Sequence, residues 1–267
     1  MDDRPIGVFD SGFGGLTVAR ALIDLLPGED IVYVADTGRY PYGPRPLEEV
    51  RRFADQITCH LVDAFNVKLV VVACNTAAAA ALDLLRFHHE VPLVGVIDPG
   101  VRAAVKASRN RHIGVIGTVG TISSGAYQRA VAVRRAGVEL TCAACPGFVE
   151  FVERGDTGSD QVHVLAERLL QPLRDAGVDT LLLGCTHYPF LARTIGDVMG
   201  GGVVLVSSAD ETAFEVHDIL RETGLGRRTA VKGNHLWVSS GDAATFRRLG
   251  RRLFGPEIDD VEAWDPT

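Results

Sequence analysis

Short apolar runs alternate along the chain with longer stretches in which apolar residues recur at helical spacing. Aliphatic runs bounded by Gly, Pro, Asp or Ser are typical of strands buried in a parallel sheet. We predict strands at residues 6–9, 31–35, 69–73, 93–96, 113–116, 138–143, 180–183, 203–206 and 235–238. Helices are predicted after residue 15 to about residue 26, at 47–65, 76–86, 127–135, within 147–154, at 160–176 and 210–222, and from about residue 242. This alternation predicts an α/β fold with parallel sheets and right-handed crossovers.

Two of the predicted strands end in reactive side chains. Residues 69–77 read LVVVACNTA, so a thiol, an amide and a hydroxyl follow one apolar run from Cys74 onward. Residues 179–189 read DTLLLGCTHYP, so a thiol, a hydroxyl and an imidazole follow another from Cys185 onward. Open α/β sheets bind ligands at the carboxyl ends of their strands. Both stretches are therefore candidate sites.

The two cysteines belong to an internal repeat. Three pairs of segments match in the same order at nearly one offset: Cys74 with Cys185 (111 residues), 6–11 with 113–118 (107 residues) and 92–96 with 202–206 (110 residues). Such a repeat predicts two similar half-chains. We expect their boundaries at residues 98–100 and 206–208, and we expect the cysteine-bearing strand ends to face each other across a cleft.

Composition and charge narrow the class of protein. The chain has 267 residues, of which 46% are hydrophobic and 23% charged, as in ordinary globular proteins. A net charge of −7 argues against direct nucleic-acid binding as the main function. The N-terminus does not resemble a signal peptide and no apolar stretch is long enough to cross a membrane, so we expect a cytoplasmic protein. Five cysteines without a signal peptide are expected to be reduced thiols.

The glycine-rich turn at residues 12–15 follows a strand and precedes a helix, as in dinucleotide-binding folds, and Asp36 is a possible partner for a ribose. However, Thr17 stands where the third glycine of that motif belongs. Asp10 would also place negative charge beside a pyrophosphate. We therefore expect a tight turn and no nicotinamide cofactor.

The remaining cysteines, the lysines, three of the histidines and a group of arginines carry little functional weight. Cys142 and Cys145 have the spacing of half a zinc site, but no second pair exists, so we expect small core residues and no metal. Cys59 is expected in the core, and His88, His89 and His112 at the surface. The three lysines show no arrangement typical of a Schiff base. Four arginines between residues 247 and 252 are expected to form a solvated helix face.

Cys74 and Cys185 suit a reaction that needs one base on each face of a substrate. Each is expected at a helix N-terminus, which favours the thiolate and should lower the thiol pKa from about 8.5. The neighbouring neutral groups of Ser11, Asn75, Thr76 and Thr186, together with that of Thr118, suit a substrate carboxylate. Two thiols facing one cleft allow racemisation without a cofactor, because one removes the α-proton and the other returns a proton to the opposite face.

Four motifs resemble those of the glutamate racemases, in the aspartate/glutamate racemase superfamily. They are residues 10–15 (DSGFGG), 41–43 (PYG), 74–77 (CNTA) and 185–189 (CTHYP), with a further match at 240–242. The resemblance covers nearly the whole chain. It implies two similar Rossmann-like α/β sandwich domains with parallel sheets, related by a pseudo-twofold axis, and an active site between them. It also implies that residues 208–267 return to the first domain (1–97) and that residues 98–207 form the second.

The resemblance further implies cofactor-independent interconversion of L- and D-glutamate, supplying D-glutamate for peptidoglycan, by a homodimer. Cys74 would remove the α-proton of D-glutamate and Cys185 that of L-glutamate, with Asp10, His187 and Glu153 assisting. The expected substrate-binding residues are Asp10, Ser11, Tyr42, Gly43, Asn75, Thr76, Thr186 and His187. Gly147 and Glu150 depart from the family pattern in the segment that leads to Glu153.

Other functions remain open at this point. A related racemase or isomerase acting on aspartate or another small acid would use the same two cysteines. A cysteine hydrolase would account for Cys185 and His187 but gives no reason for Cys74. A two-lobed binding module of the periplasmic type would account for the cleft, but the paired thiols and the N-terminus argue against it.

Overall fold

The computed structural model describes residues 2–134, 137–227, 229 and 231–266. Its strands are β1 (Ile6–Asp10), β2 (Ile31–Ala35), β3 (Leu69–Val72), β4 (Leu93–Gly95), β5 (His112–Gly117), β6 (Glu139–Ala144), β7 (Thr180–Gly184), β8 (Val204–Val206), β9 (His235–Ser239) and β10 (Val261–Ala263). The strands predicted from sequence are all present. The short β10 was not predicted.

The helices are α1 (Leu16–Leu25), α2 (Leu47–Phe65), α3 (Asn75–His88), α4 (Ile97–Ala107), α5 (Val119–Ser123), α6 (Ala126–Val133), α7 (Phe148–Arg154), α8 (Asp160–Asp175), α9 (Ala192–Met199), α10 (Ala209–Thr223) and α11 (Ala243–Leu253), with a 3₁₀ turn at Tyr188–Leu191. Helices α4, α5 and α9 and the 3₁₀ turn were not predicted. Arg135, the end of one predicted helix, lies outside the described residues. No helix among the described residues is both long and apolar enough to span a membrane.

The strands form two parallel sheets. The first has six strands in the order β10-β9-β2-β1-β3-β4, and the second has four in the order β6-β5-β7-β8. The central strands β1, β2, β3 and β7 are buried along their whole length, as expected for aliphatic strands covered on both faces. Apolar side chains form two cores: the larger surrounds the first sheet and extends to residues of β5, β7 and β8, and the smaller packs on the second sheet. The predicted α/β class with two parallel sheets is confirmed.

The two sheets repeat one strand order. If β1, β2, β3 and β4 are matched with β5, β6, β7 and β8, the order β2-β1-β3-β4 of the first sheet becomes the order β6-β5-β7-β8 of the second. This is the pairing that the sequence repeat predicts. It places Cys74, after β3, at the position equivalent to Cys185, after β7.

The C-terminal segment joins the first sheet. β9 pairs with β2, and β10 pairs with β9, so both extend the edge that β2 would otherwise form. Residues 98–100, where a boundary was expected, lie inside α4 instead of in an extended connection. Helix α4 contacts β7 and β8 of the second sheet and α10, which packs on α1 of the first half.

Candidate functional site

One cavity of about 100 Å³ opens where the carboxyl ends of the two sheets meet. Both predicted thiols, of Cys74 and Cys185, line it. So do most of the expected substrate-binding residues, namely Ser11, Tyr42, Gly43, Asn75, Thr76, Thr186 and His187. Asp10 and Glu153 are not among the lining residues, and each lies behind one that is. The strand ends that the sequence repeat predicts to be equivalent therefore face one small cavity.

Cys74 lies at the junction of β3 and α3, with 5% of its surface exposed. Its Sγ is 3.7 Å from Oγ of Ser11. Burial, together with the negative charge of Asp10, raises the pKa of the Cys74 thiol to about 12. The expectation that the helix N-terminus would lower this pKa is wrong, because the loss of hydration outweighs the backbone hydrogen bonds to the sulfur. Cys74 therefore holds its proton at neutral pH.

The glycine-rich turn after β1 binds the carboxylate of Asp10. Oδ2 of Asp10 accepts hydrogen bonds from the backbone N–H groups of Gly12, at 3.1 Å, and Gly15, at 3.0 Å. Asp10 is fully buried, and its Oδ1 has no hydrogen-bond partner among the described residues. The amides that would bind a phosphate in a dinucleotide site are thus used within the turn.

Cys185 is followed by an imidazole and backed by a carboxylate. Sγ of Cys185 is 3.9 Å from Nδ1 of His187, and Nε2 of His187 is 3.4 Å from Oε1 of Glu153. Burial alone would lower the pKa of His187, but its contacts with Cys185 and Glu153 and the charge of Asp10 raise it to about 10. His187 is therefore protonated at neutral pH, and the structure brings this predicted group of three together.

The two halves approach each other closely at Gly14. A Cβ atom at Gly14 would lie 2.5 Å from Nδ1 and 2.8 Å from Cε1 of His187, and would also overlap the hydroxyl of Thr186. Only a residue without a side chain fits there. The glycine thus allows the β1–α1 turn of the first half to pack against the reactive strand end of the second.

Polar side chains join the halves beside the thiols. Nδ2 of Asn75 donates to the hydroxyl of Tyr127 at 2.9 Å. Oγ1 of Thr76 lies 3.0 Å from Oγ1 of Thr118 and 3.1 Å from Oγ1 of Thr121. Two of the predicted carboxylate donors therefore already bond across the cleft. Tyr127 and Thr121 were not predicted.

The loop after β2 covers the cavity with two tyrosines. Tyr42 donates a hydrogen bond to Asp36, which also accepts from Arg39 at 2.8 Å and from Ser240 at 2.5 Å. Asp36 is fully buried and fixes this loop to the C-terminal segment, so it is not placed to bind a ribose. Tyr40 was not among the predicted site residues. Its ring lies 6.2 Å from that of His187, and burial and Glu153 raise its pKa above the ordinary value.

The segment leading to Glu153 explains one departure from the family pattern. Gly147 has a φ of 94°, in the left-handed region that favours glycine, and α7 begins directly after it. Gly147, Val149 and Glu150 line the cavity together with Cys145. Cys145 is buried as predicted, while Cys142 is only half-buried. Within the described ranges, no three metal-ligating side chains of the cleft lie close enough together to share an ion.

Several known proteins are similar to this chain in sequence and in fold. Residues 6–216 match the model of the Asp/Glu/Hydantoin racemase family. Glutamate racemase of Parafrankia sp. is 54% identical, over 98% of this chain and 94% of the relative. The crystal structure of glutamate racemase isoform RacE1 from Bacillus anthracis superposes with a TM-score of 0.92 at 40% identity, covering 99% and 98% of the two chains. That of Francisella tularensis glutamate racemase in complex with D-glutamate gives 0.93 at 31% identity, covering 100% and 99%. The chain therefore belongs to the Asp/Glu/Hydantoin racemase family.

Proposed function

We propose that this protein is a glutamate racemase that interconverts L- and D-glutamate without a cofactor. The observation that carries the proposal is that two thiols, from equivalent strand ends of two repeated sheets, open into one small cavity. Relatives about half identical over nearly the whole chain are glutamate racemases, and one similar structure contains D-glutamate. The product D-glutamate would serve peptidoglycan synthesis.

In this mechanism, Cys74 and Cys185 act on opposite faces of the α-carbon. With L-glutamate, Cys185 as thiolate removes the α-proton, and the protonated thiol of Cys74 gives its proton to the other face. With D-glutamate the two cysteines exchange roles, so one proton leaves and one arrives in each turnover. The raised pKa of Cys74 supports its role as proton donor in the first direction.

The charged side chains beside each thiol would move or hold protons. The protonated imidazole of His187 faces the sulfur of Cys185 and is itself paired with Glu153. Asp10 lies behind Cys74, and its Oδ1, which has no hydrogen-bond partner in the described part of the chain, can accept a proton or bind the substrate ammonium group. Each thiol thus has an acid or base beside it: an imidazole next to Cys185 and a carboxylate next to Cys74.

Neutral donors around the cavity would bind the carboxylates of glutamate. Ser11, Asn75, Thr76 and Thr186 provide side-chain donors, and Tyr42 adds an aromatic wall. The hydroxyls of Thr76, Thr118 and Thr121 can redirect their hydrogen bonds, because each can donate or accept. Substrate can therefore replace contacts between the halves without leaving buried groups unpaired.

The direct test incubates the purified protein with each glutamate enantiomer in deuterated water and follows both chirality and α-deuterium. We expect inversion of both isomers, with solvent deuterium in the product and no added cofactor. Cys74→Ala and Cys185→Ala should each lower turnover by at least about 10²-fold, because each removes an essential acid or base.

Cys142→Ala is the matched control, since this half-buried cysteine lies outside the cavity lining and should keep full activity. Normal turnover in either cleft variant, or no exchange with either isomer, would contradict the proposal. The same assay with aspartate tests the alternative substrate.

We further infer that the protein is a homodimer. Exposed apolar side chains on neighbouring helices support this: Phe87 is 86% exposed on α3 and Val133 is 83% exposed on α6, and residues of both helices line one surface groove. Sedimentation equilibrium should give twice the chain mass, and Phe87→Glu should shift the population towards monomer. A wild-type monomer at micromolar concentration would refute a dimer.

Two further expectations belong to this proposal. The chain would divide into one domain of residues 1–97 with 208–267 and another of residues 98–207. Membership of β9 and β10 in the first sheet supports this division. A cytoplasmic location would keep the catalytic thiols reduced, as two-base chemistry requires.

A further inference from the structure

A second group of reactive side chains lies on the outside of the first half, between α2 and α3. Asp55 and Cys59 are four residues apart on α2, so they project from the same face of that helix. His88 is the last residue of α3 and His89 directly follows it, and α3 packs against α2. Catalysis by the cleft, as proposed above, uses none of these residues.

The donor atoms of three of these side chains already converge. One carboxylate oxygen of Asp55, Sγ of Cys59 and one imidazole nitrogen of His89 all lie within 4.8 Å of one another. Nε2 of His89 is 3.4 Å from Oδ1 of Asp55. Bonds of about 2.1 Å to a tetrahedral zinc ion place neighbouring N and O ligands about 3.4 Å apart. The observed separation therefore matches that of two zinc ligands.

We propose that Asp55, Cys59 and His89 bind a divalent d-block cation of the zinc type, with water completing the tetrahedron. Thiolate, imidazole and carboxylate are the ligands that zinc prefers. An ion pair between Asp55 and His89 alone would give no reason for the thiol of Cys59, four residues after Asp55 on α2. On binding, the thiol of Cys59 releases one proton to solvent as the Zn–S bond forms.

The electrostatic environment favours a cation at this position. The charges of Asp55 and Cys59 as thiolate would balance those of the ion. The C-terminal end of α3 adds the negative end of a helix dipole. His88 contacts the same Asp55 oxygen at 3.4 Å and so holds the carboxylate in place.

The ion would connect two helices without entering the cleft. Helix α3 has 14 residues, so its two ends lie about 20 Å apart. The first residues of α3, Asn75 and Thr76, line the proposed active site. His89 lies at the opposite end, directly after the last residue of the helix. A metal here would therefore anchor the far end of the helix that begins at Cys74, and it would not take part in proton transfer.

The test uses the full chain carrying Cys74→Ser and Cys185→Ser, so that no cleft thiol can contribute a cobalt–thiolate signal. Co²⁺ is titrated as the probe, and Zn²⁺ is then added to displace it. We expect one Co²⁺ per chain, with the near-ultraviolet charge-transfer absorption of a cobalt–thiolate bond. Zn²⁺ should also raise the Tm of this chain, because it binds only the folded state.

Ligand variants in the same background identify the site. Cys59→Ser should abolish the charge-transfer band and the Tm shift, and Asp55→Asn and His89→Gln should weaken binding at least about tenfold. Cys142→Ser and His217→Gln are matched controls, since Cys142 is the other half-buried cysteine and His217 is an exposed histidine beside Asp218. Both should bind metal like the background chain.

Three results would overturn the proposal: no bound Co²⁺ or Zn²⁺, a band or Tm shift that survives Cys59→Ser, or unchanged affinity in His89→Gln. Tm values in the presence of a chelator show whether each variant is folded. Because the readouts are spectroscopic and thermal, they are independent of whether the cleft racemises glutamate.

Discussion

The two thiols occupy equivalent positions in the fold but unlike chemical surroundings. Cys74 is buried beside the carboxylate of Asp10, and its pKa is raised to about 12. Cys185 faces the imidazole of His187, whose pKa is raised to about 10. A two-base reaction needs one protonated and one deprotonated group at the start of each turnover. In the mechanism proposed above, these unlike neighbours would distinguish the two thiols within a repeated framework.

His187 is predicted to remain an imidazolium well above neutral pH. In protein labelled with ¹⁵N-histidine, its ring resonances should stay in the protonated range from pH 7 to 9, because Cys185 and Glu153 stabilise the charge. His187→Gln should lose that signal, which assigns it, and should lower kcat about 10²-fold. A neutral ring at pH 8 would contradict the proposed role.

At the scale of single elements, the β1–α1 turn brings the halves together. Gly14→Ala should lower kcat/KM by at least about 10²-fold, because the added methyl group displaces His187 and Thr186 from Cys185 by a fraction of an ångström or more. Gly196→Ala in α9 is the control, since its Cβ would meet nothing closer than 3.8 Å, and it should be neutral or slightly stabilising. Full activity in Gly14→Ala would mean that the cleft has room the structure does not show.

The last helix reaches the second half through one arginine. Nη2 of Arg252 on α11 donates to the backbone oxygen of Glu153 at 2.8 Å, directly beside the carboxylate that pairs with His187. Arg252→Ala should lower kcat several-fold while changing the free energy of unfolding by less than about 1 kcal/mol. Arg251→Ala is the control, because Arg251 pairs with Asp259 instead. Equal effects of the two variants would argue against a positioning role.

Sequence predicted the strands well because buried parallel strands are continuous aliphatic runs bounded by turn residues. It missed α4 because Pro99 and Gly100 are typical of chain breaks, whereas the structure places Pro99 in the first turn of a helix, where its missing N–H is not needed. Strand β10 has only three residues and no apolar run, so its pairing with β9 depends on tertiary contacts.

In the site, too, residues marked by a local sequence pattern were predicted and those placed by tertiary contacts were missed. Cys74 and Cys185 were predicted because each lies just after a buried strand. Tyr127 and Thr121 were missed because they contact cavity-lining residues from helices, where no local pattern distinguishes them from packing residues. The raised pKa of Cys74 could not be predicted from the sequence either, because burial is a property of the folded chain.

At the scale of the whole molecule, many ionisable groups are buried in their protonated form. The pKa values of all five tyrosines are raised by burial, as is that of Cys74, and that of His187 is raised by its partners. In each case the folded chain holds its proton more tightly than the unfolded chain, so stability must fall as the pH rises.

Urea unfolding at several pH values should show this loss. The contribution of His187 is fully present below pH 6.5, its ordinary pKa, and disappears as the pH rises through about 10. That of Cys74 persists up to about pH 9 and is lost towards pH 12. We expect the free energy of unfolding to fall steadily from pH 7 to 11, and to fall less in His187→Gln. A pH-independent value over this range would refute the assigned protonation states.

The extra strands of the C-terminal segment have a consequence for solubility. In the first sheet β9 covers β2, every residue of which is buried, whereas the equivalent β6 is the end strand of the second sheet and is only partly buried. Removing residues 235–266 would leave the IVYVA run of β2 as an open edge that other chains could join. We therefore expect the C-terminal segment to prevent aggregation through β2. In the second half, β6 is an exposed end strand, but it is less apolar than β2 and needs no such cover.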